Sequence, residues 1–281
     1  MKKGKIILAA LLAAAVSCGL SACGIHAFGF MQDDVKEDTI SLESVSEMQI
    51  DMTSADIKIL RGEENALHYV MSESLVPEIS QNSGKLTVIQ PKHTGIKFGS
   101  STKNRVEITL DQKTIDTLDI SLTSGDIEID GFSIDGSIST TSGDICVKNA
   151  EEGGVLELEA TSGDITLKDS SFRRITKDQS SGETEMDHVT ADSISFEATS
   201  GDLTVRSSKI GDAEIECTSG DIQLELIGSE EDYSYECACT SGSVEIGETK
   251  AGKKLQKKNG GPHSFKAETT SGDITVTFIS E

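Results

Sequence analysis

The chain contains no tryptophan, only three tyrosines and eight phenylalanines among its 281 residues. Flat ring surface, the usual platform for stacking on bases or sugars, is therefore scarce. Basic residues are few as well: 25 lysines and arginines stand against 48 aspartates and glutamates, for a net charge of -23. Such a balance repels nucleic acid and anionic lipid and favours solubility or cations. No stretch has helical period. The five histidines, His26, His68, His93, His188 and His263, neither recur in phase nor stand beside a plausible serine or cysteine nucleophile. Acidic pairs occur everywhere in so acidic a chain, so none stands out as a general acid and base. Catalysis is left without sequence support, and no cofactor is expected.

Long hydrophobic runs are missing too, apart from the first residues. Lys2, Lys3 and Lys5 precede an apolar stretch, Ile6 to Val16, that is too short for a comfortable membrane span. Small residues follow, and Leu20-Ser21-Ala22-Cys23 resembles the lipobox of bacterial lipoproteins. In that family the matching cysteine, here Cys23, receives a diacylglyceryl thioether and becomes the mature N-terminus. The resemblance implies a protein exported and lipid-anchored to the extracytoplasmic face of the bacterial cell membrane, with residues 1–22 as signal peptide. Removing them takes three lysines away and leaves the remainder more acidic still.

What the chain has in abundance is one short phrase. Thr-Ser-Gly-Asp recurs with its glycine at Gly125, Gly143, Gly163, Gly201, Gly220 and Gly272, and altered copies stand at Gly182 and Gly242. The spacings are 18, 20, 19, 19, 19, 22 and 30 residues. Three, five and seven residues before the glycine stand apolar side chains such as Leu122, Ile120 and Leu118, or Ala198, Phe196 and Ile194. Two and four after it stand pairs such as Ile145 and Val147, or Ile274 and Val276. Alternation on both sides of a fixed turn predicts two half-buried strands per repeat that face one interior. A second bend carries an apolar anchor such as Phe132, Phe172, Val189 or Ile210. A period near 19 with tolerated insertions marks a solenoid. The expectation is an all-β, parallel β-solenoid of about ten coils, counting degraded turns at Ala55 and Gly84, with "SGDITVTFISE" as the last rung. The predicted organisation is a linker at 23–37, irregular coils at 38–115 and regular repeats at 116–281.

The serial TSGDI motif, with the upstream "VEITL" and "LDISLTSGDIEI", resembles bacterial β-strand-repeat proteins of a domain-of-unknown-function family described as candidate adhesins. The resemblance covers about residues 38 to 281. It implies the fold and a surface role, and carries over no catalytic residues.

Several constellations invite a functional reading beside a plainer one. Asp126, Asp144, Asp164, Asp202, Asp221 and Asp273 share one turn position, so stacking lines up carboxylates that could hold calcium. The plainer reading, an aspartate bonding its own turn, is favoured because Lys85, Glu183 and Ser243 replace it elsewhere. The turn threonines, Thr123, Thr141, Thr161, Thr199, Thr218, Thr240 and Thr270, could present hydroxyls to ice or glycan, though closing a neighbouring backbone bond is the simpler role. Cys217 and Cys239 both lie three before the turn glycine, which predicts adjacent inward stacking and a possible disulfide. Small buried packing is the plainer alternative. Cys237 and Cys239 form C-x-C without a nearby histidine, so no zinc set is expected. The insertion "KAGKKLQKKNGGPH" carries Lys250, Lys253, Lys254, Lys257 and Lys258 and is expected to protrude, as a solvated loop or an anion contact.

The reading is a non-catalytic surface lipoprotein that presents a solenoid to an envelope or extracellular protein or glycan. The alternatives are a polysaccharide lyase or hydrolase, by fold analogy, and a calcium-stabilised spacer.

Overall fold

The repeating phrase makes a corner. At Gly143 the backbone has φ +134°, a conformation that side chains rarely tolerate, and the Ser-Gly-Asp stretch around it turns one strand into the next. The computed structural model describes residues 34–90 and 104–280, which fall within one compact unit, Asp33–Glu281. The leader, Cys23 and most of the 23–37 stretch lie outside the described residues, as do His26 and His93. The last residues of that stretch enter a strand, Val35–Ser41.

Corners stack directly on one another. A Cβ placed on Gly143 would stand 2.0 Å from the Gly125 carbonyl oxygen, and one on Gly163 would stand 2.1 Å from that of Gly143. The column therefore accepts glycine for two reasons, dihedral and close approach. Strands on either side of each corner pair in parallel with those of the next rung, so Ile120 faces Ile138 and Ile127 faces Ile145. In the middle of the stack one strand runs from corner to corner, as in Ile165–Ser181, Thr184–Ser200 and Leu203–Ser219. A second bend lies six residues after the corner. Gly131, Asn149, Asp169, His188 and Ser207 all take positive φ there, followed by the buried anchors Phe132, Phe172 and Val189.

The inward columns pack into one continuous apolar core that includes Leu118, Ile120, Leu156, Leu158, Phe196 and Ile215. The result is an all-β, solenoid-like stack of parallel strands with antiparallel strands at its two ends. The irregular N-terminal part joins the regular repeats without a gap. Glu47–Ser54 pairs in parallel with Thr114–Ser124, so that Met48 faces Leu118 and Ile50 faces Ile120.

Three expectations are corrected. Gly84 is no solenoid corner: Ser83 and Gly84, with φ of 51° and 82°, close a two-residue hairpin between Glu78–Asn82 and Lys85–Ile89. The C-terminal repeat is not the last rung. His263–Ser271 pairs on one side with Leu203–Ser219 and on the other with Tyr233–Ser241, so the Gly272 rung lies between the Gly220 and Gly242 rungs. The lysine-rich insertion does not protrude. Thr249–Ala251 lies antiparallel on Val244–Ile246, and Lys254–Lys257 lies antiparallel on Tyr233–Ser241, so the insertion covers the edge of the Gly242 rung. The opposite end is covered likewise, by Glu78–Asn82 and by Ala66–Ser72, which is itself flanked by Val35–Ser41. Parallel stacks offer open edges to other chains, and antiparallel covers remove them.

The close approach yields a sharp expectation for single substitutions. Gly163→Ala should lower stability by about 2 kcal/mol or more, because φ is +126° and the carbonyl of Gly143 blocks the methyl. Gly252→Ala, with nothing within 4 Å of its Cβ, should be nearly neutral. Urea unfolding of both variants checks the contrast, and equal effects would refute the corner-stacking account.

Candidate interaction surface

The corner aspartates are committed to the neighbouring rung rather than to their own turn. The Asp144 N–H donates to Asp126 Oδ1 at 3.1 Å, Asp164 N–H to Asp144 Oδ1 at 2.8 Å, and Asp273 N–H to Asp221 Oδ1 at 2.8 Å. Glu183 N–H and Ser243 N–H receive the same service from Asp164 and Asp273, at 2.8 and 2.7 Å. A non-aspartate can follow an aspartate in the column because it needs only its backbone N–H. Among the described residues no group of three or more histidines, cysteines, aspartates or glutamates is arranged to hold a metal ion. The seven turn threonines are exposed, and none of their hydroxyls forms a hydrogen bond among the described residues, contrary to the backbone-closing role expected of them.

Cys217 and Cys239 are not adjacent. Both are register partners of Thr269, which places a whole rung between them. Two parallel spacings are roughly 9.6 Å, beyond the disulfide range. Both thiols are free and buried, and burial pushes the Cys217 thiol above its ordinary value. Cys237, in the same strand, is also buried.

The insertion lysines mostly face acids of the rung they cover. Lys250 meets Glu245 at 2.8 Å, Lys254 meets Glu236 at 2.5 Å, Lys257 meets Glu230 at 2.7 Å, and Lys253 donates to the Thr240 carbonyl. The Lys257 bond holds the Glu230 carboxyl below its usual range, and Lys254 does the same for Glu236. Lys258 is the exception. It is exposed and forms no ion pair or hydrogen bond among the described residues. The described histidines are scattered: His68 bonds Thr39, His188 lies 2.9 Å from Asp187, and His263 packs against Tyr233.

Lys258 borders a groove of about 650 Å³ that crosses the upstream strands of the Gly182, Gly201, Gly220, Gly272 and Gly242 rungs. Ser193, Ser195 and Ser234 contribute hydroxyls to its lining. Its carboxylates already have partners. Asp212 accepts from the Ser264 N–H and hydroxyl at 2.9 and 3.0 Å, Glu214 lies 3.6 Å from Lys266, and Glu236 holds Lys254. Lys266 is gripped by Glu214, Glu216 and Glu268, and its hydrogen bond to Glu216 raises its ammonium above the ordinary value. Arg174, at the other end, is exposed and, like Lys258, pairs with nothing among the described residues. Two free cations thus flank a hydroxyl-lined groove on an acidic molecule. One step along the strands runs an acidic row in direct register: Glu159, Asp178, Glu197, Glu216 and Glu268.

A family profile matches residues 45–277. The chain belongs to the Toastrack DUF4097 family. In fold, this Toastrack chain is similar to a candidate adhesin of Bacteroides fragilis, with 11% identity, a TM-score of 0.53, and coverage of 87% of this chain and 98% of that one. It is also similar to a Parabacteroides distasonis protein described as a candidate lipid-binding protein, with 18% identity, a TM-score of 0.52, and coverage of 88% and 97%. At these identities the likeness concerns the fold alone. No curated protein matches the chain.

One feature of the Toastrack core escaped the sequence reading. In the Gly182 rung the inward column carries Lys177, 5% exposed, and Gln179, 1% exposed, with Thr184 after the corner. Lys177 donates to Gln179 Oε1 at 3.0 Å and Thr184 Oγ1 at 3.1 Å, and its ammonium lies 5.4 Å from the centre of the Phe196 ring. The signal was available: Lys177 and Gln179 stand five and three before Gly182, where other rungs carry apolar or small residues.

Burial lowers the Lys177 ammonium from 10.5 to about 8, against weaker opposing effects of Cys217 and Asp178. The unfolded chain therefore binds more protons than the folded one between about pH 8 and 10.5, and stability should rise with pH across that window. Below pH 8 the full cost, roughly 3 kcal/mol, weighs on the fold. Lys177→Met should stabilise the protein by about 2 kcal/mol at pH 7, with the gain shrinking towards pH 10.5. Urea titrations at several pH values check this, and parallel pH profiles for the two proteins would refute it.

Proposed function

We propose that this Toastrack protein is a non-catalytic surface lipoprotein, anchored through Cys23 to the extracytoplasmic face of a bacterial membrane, whose groove holds an anionic envelope polymer. The observation that carries the reading is the groove itself, where Arg174 and Lys258 form no ion pair among the described residues, Lys266 and Lys254 offset Glu214 and Glu236, and Ser264 holds the Asp212 carboxylate. An anionic chain laid along the groove would meet two available cations and a row of hydroxyls, and the rigid stack would lose little freedom on binding it. The acidic remainder of the surface would repel the same polymer elsewhere, which confines it to one place. The adhesin and lipid-binding descriptions of the structural neighbours accord with a surface role.

Two measurements test this. Cys23→Ser should release the protein from cells into the medium, and retention at the membrane would overturn the anchor. Purified polyglycerol phosphate, a phosphate-rich wall polymer, should bind the protein in a salt-dependent way, and Arg174→Glu with Lys258→Glu should weaken that binding at least tenfold. Undiminished binding would remove the groove from the account, and shortening of the polymer during incubation would favour a hydrolase or lyase instead.

A further inference from the structure

The rungs do not stack in the order in which the chain writes them. Gly corners touch carbonyls in the order 125, 143, 163, 182, 201, 220, 272, 242, so the C-terminal rung occupies a slot between two rungs that precede it in sequence. Within that slot, Ile222–Ile227 pairs with Ile274–Ile279, which pairs in turn with Val244–Ile246. The Gly272 N–H donates to the Ser241 carbonyl, and the Gly220 N–H donates to the Ser271 carbonyl, both at 2.9 Å.

Without the C-terminal rung, most of the Gly242 rung, from Tyr235 to Ile246, finds partners on the Gly220 rung, while Tyr233 and Leu226 lose those the C-terminal rung gave them. The shared register partners define them. Ala213 would meet Tyr235, Ile215 would meet Cys237, Ser219 would meet Ser241, Ile222 would meet Val244, and Leu224 would meet Ile246. Every inward pair in that shorter stack is apolar or small. Asp221 Oδ1, which now receives the Asp273 N–H, would receive the Ser243 N–H, which now goes to Asp273. Solenoids grow by adding a rung to an existing edge, and residues up to 246 are joined to the Gly220 rung by shorter chain than residues 263–279. The outer edge of the Gly242 rung is no alternative place for the last repeat, because Thr249–Ala251 and Lys254–Lys257 cover it.

In the shorter stack the remaining inward pair is Cys217 with Cys239. Their Cα atoms would lie about 4.8 Å apart, inside the Cα range of a disulfide, and a shift of a few tenths of an ångström brings the parallel Cβ atoms within bonding range, whereas Thr269 now holds them two spacings apart. We propose that the C-terminal rung inserts last, and that Cys217 and Cys239 form a conditional cross-link site: their disulfide closes the slot, and their reduction opens it to the rung. With a small-molecule disulfide as oxidant the chemistry balances. The Cys217 thiolate attacks one sulfur of the reagent and expels one thiol. The Cys239 thiolate then attacks the Cys217 sulfur, forms the protein disulfide and expels the second thiol. Two electrons pass to the reagent and both protons leave with its thiols. In the finished fold both cysteines are nearly buried, at 9% and 6% exposure, so the inserted rung shields them from the same reagent.

The test refolds the detergent-solubilised full chain from denaturant, once with dithiothreitol and once with oxidised glutathione. The folded protein should keep both thiols when treated with oxidised glutathione. Oxidative refolding should give the linked Cys217–Cys239 peptide, with amide exchange across residues 264–279 at least 100-fold faster than in the reduced product. Adding dithiothreitol should restore that protection. Cys239→Ala, which places alanine where Ala160 and Ala198 stand in other rungs, should refold to the protected state in either buffer. Failure to form the linked peptide, or full protection of residues 264–279 in a linked chain, would overturn the proposal.

Discussion

The structure depends on the contact between one corner and the next. A glycine at positive φ lets the carbonyl of the preceding rung come so close that no Cβ fits, and this proximity lets the aspartate after it reach a neighbouring backbone N–H. Each corner thus supplies a steric condition and a polar link at once. Hydrogen bonds to charged acceptors contribute about 1.5–3 kcal/mol in favourable surroundings and less where water competes, as at these exposed aspartates. Their value lies also in direction. An Oδ1 that accepts from the next rung fixes the relative shift of two strands to the residue, and a slip of one residue would turn every apolar column outward.

That constraint explains why the fold was so legible in the residues. The corner column, the inward columns before and after it, and the second-bend anchors could all be read by counting from the glycine, and the buried positions of Leu118, Ile145, Phe172 and Phe196 follow that count. What counting could not supply was the order of rungs. Parallel pairing needs only compatible columns, and the columns of the Gly220 and Gly242 rungs both accept those of the Gly272 rung, so chain order was a poor guide to spatial order. The error at Gly84 has a different origin. Asn-Ser-Gly-Lys also satisfies a two-residue hairpin, and the antiparallel partner Glu78–Asn82 decided between the two.

The surface was less legible because its features join residues far apart in the chain. Arg174 and Lys258 border one groove although more than eighty residues separate them. The lysine run looked like an exposed cationic arm, yet it lies along acids of the rung it covers, with Lys254 on Glu236 of the strand and Lys257 on Glu230 of the turn before it. Lys253 is taken up by the Thr240 carbonyl, and Lys258 is left with no ion pair or hydrogen bond among the described residues. The acidic row from Glu159 to Glu268 was readable in principle, four residues before each glycine, but its continuity depends on the Gly272 rung lying next to the Gly220 rung.

Near-identical rungs solve stacking and create an ambiguity, since any one could dock on any other. The ends and the exceptions resolve it. Antiparallel covers close the outermost edges, so that growth stops where the Lys254–Lys257 strand lies down on Tyr233–Ser241. In the interior, the polar set of Lys177, Gln179 and Thr184 sets the Gly182 rung apart: Gln179 donates to the Gly163 carbonyl at 2.7 Å, a bond any corner glycine could accept, whereas Lys177 lies over the Phe196 ring of the following rung. A buried ammonium costs stability wherever it sits, but it costs less over a ring face that attracts it. Misplacing the Gly182 rung would carry Gln179 and Thr184 along with Lys177 but take the ammonium away from the Phe196 ring, so the ring of the following rung is what ties this charge to one place in the stack.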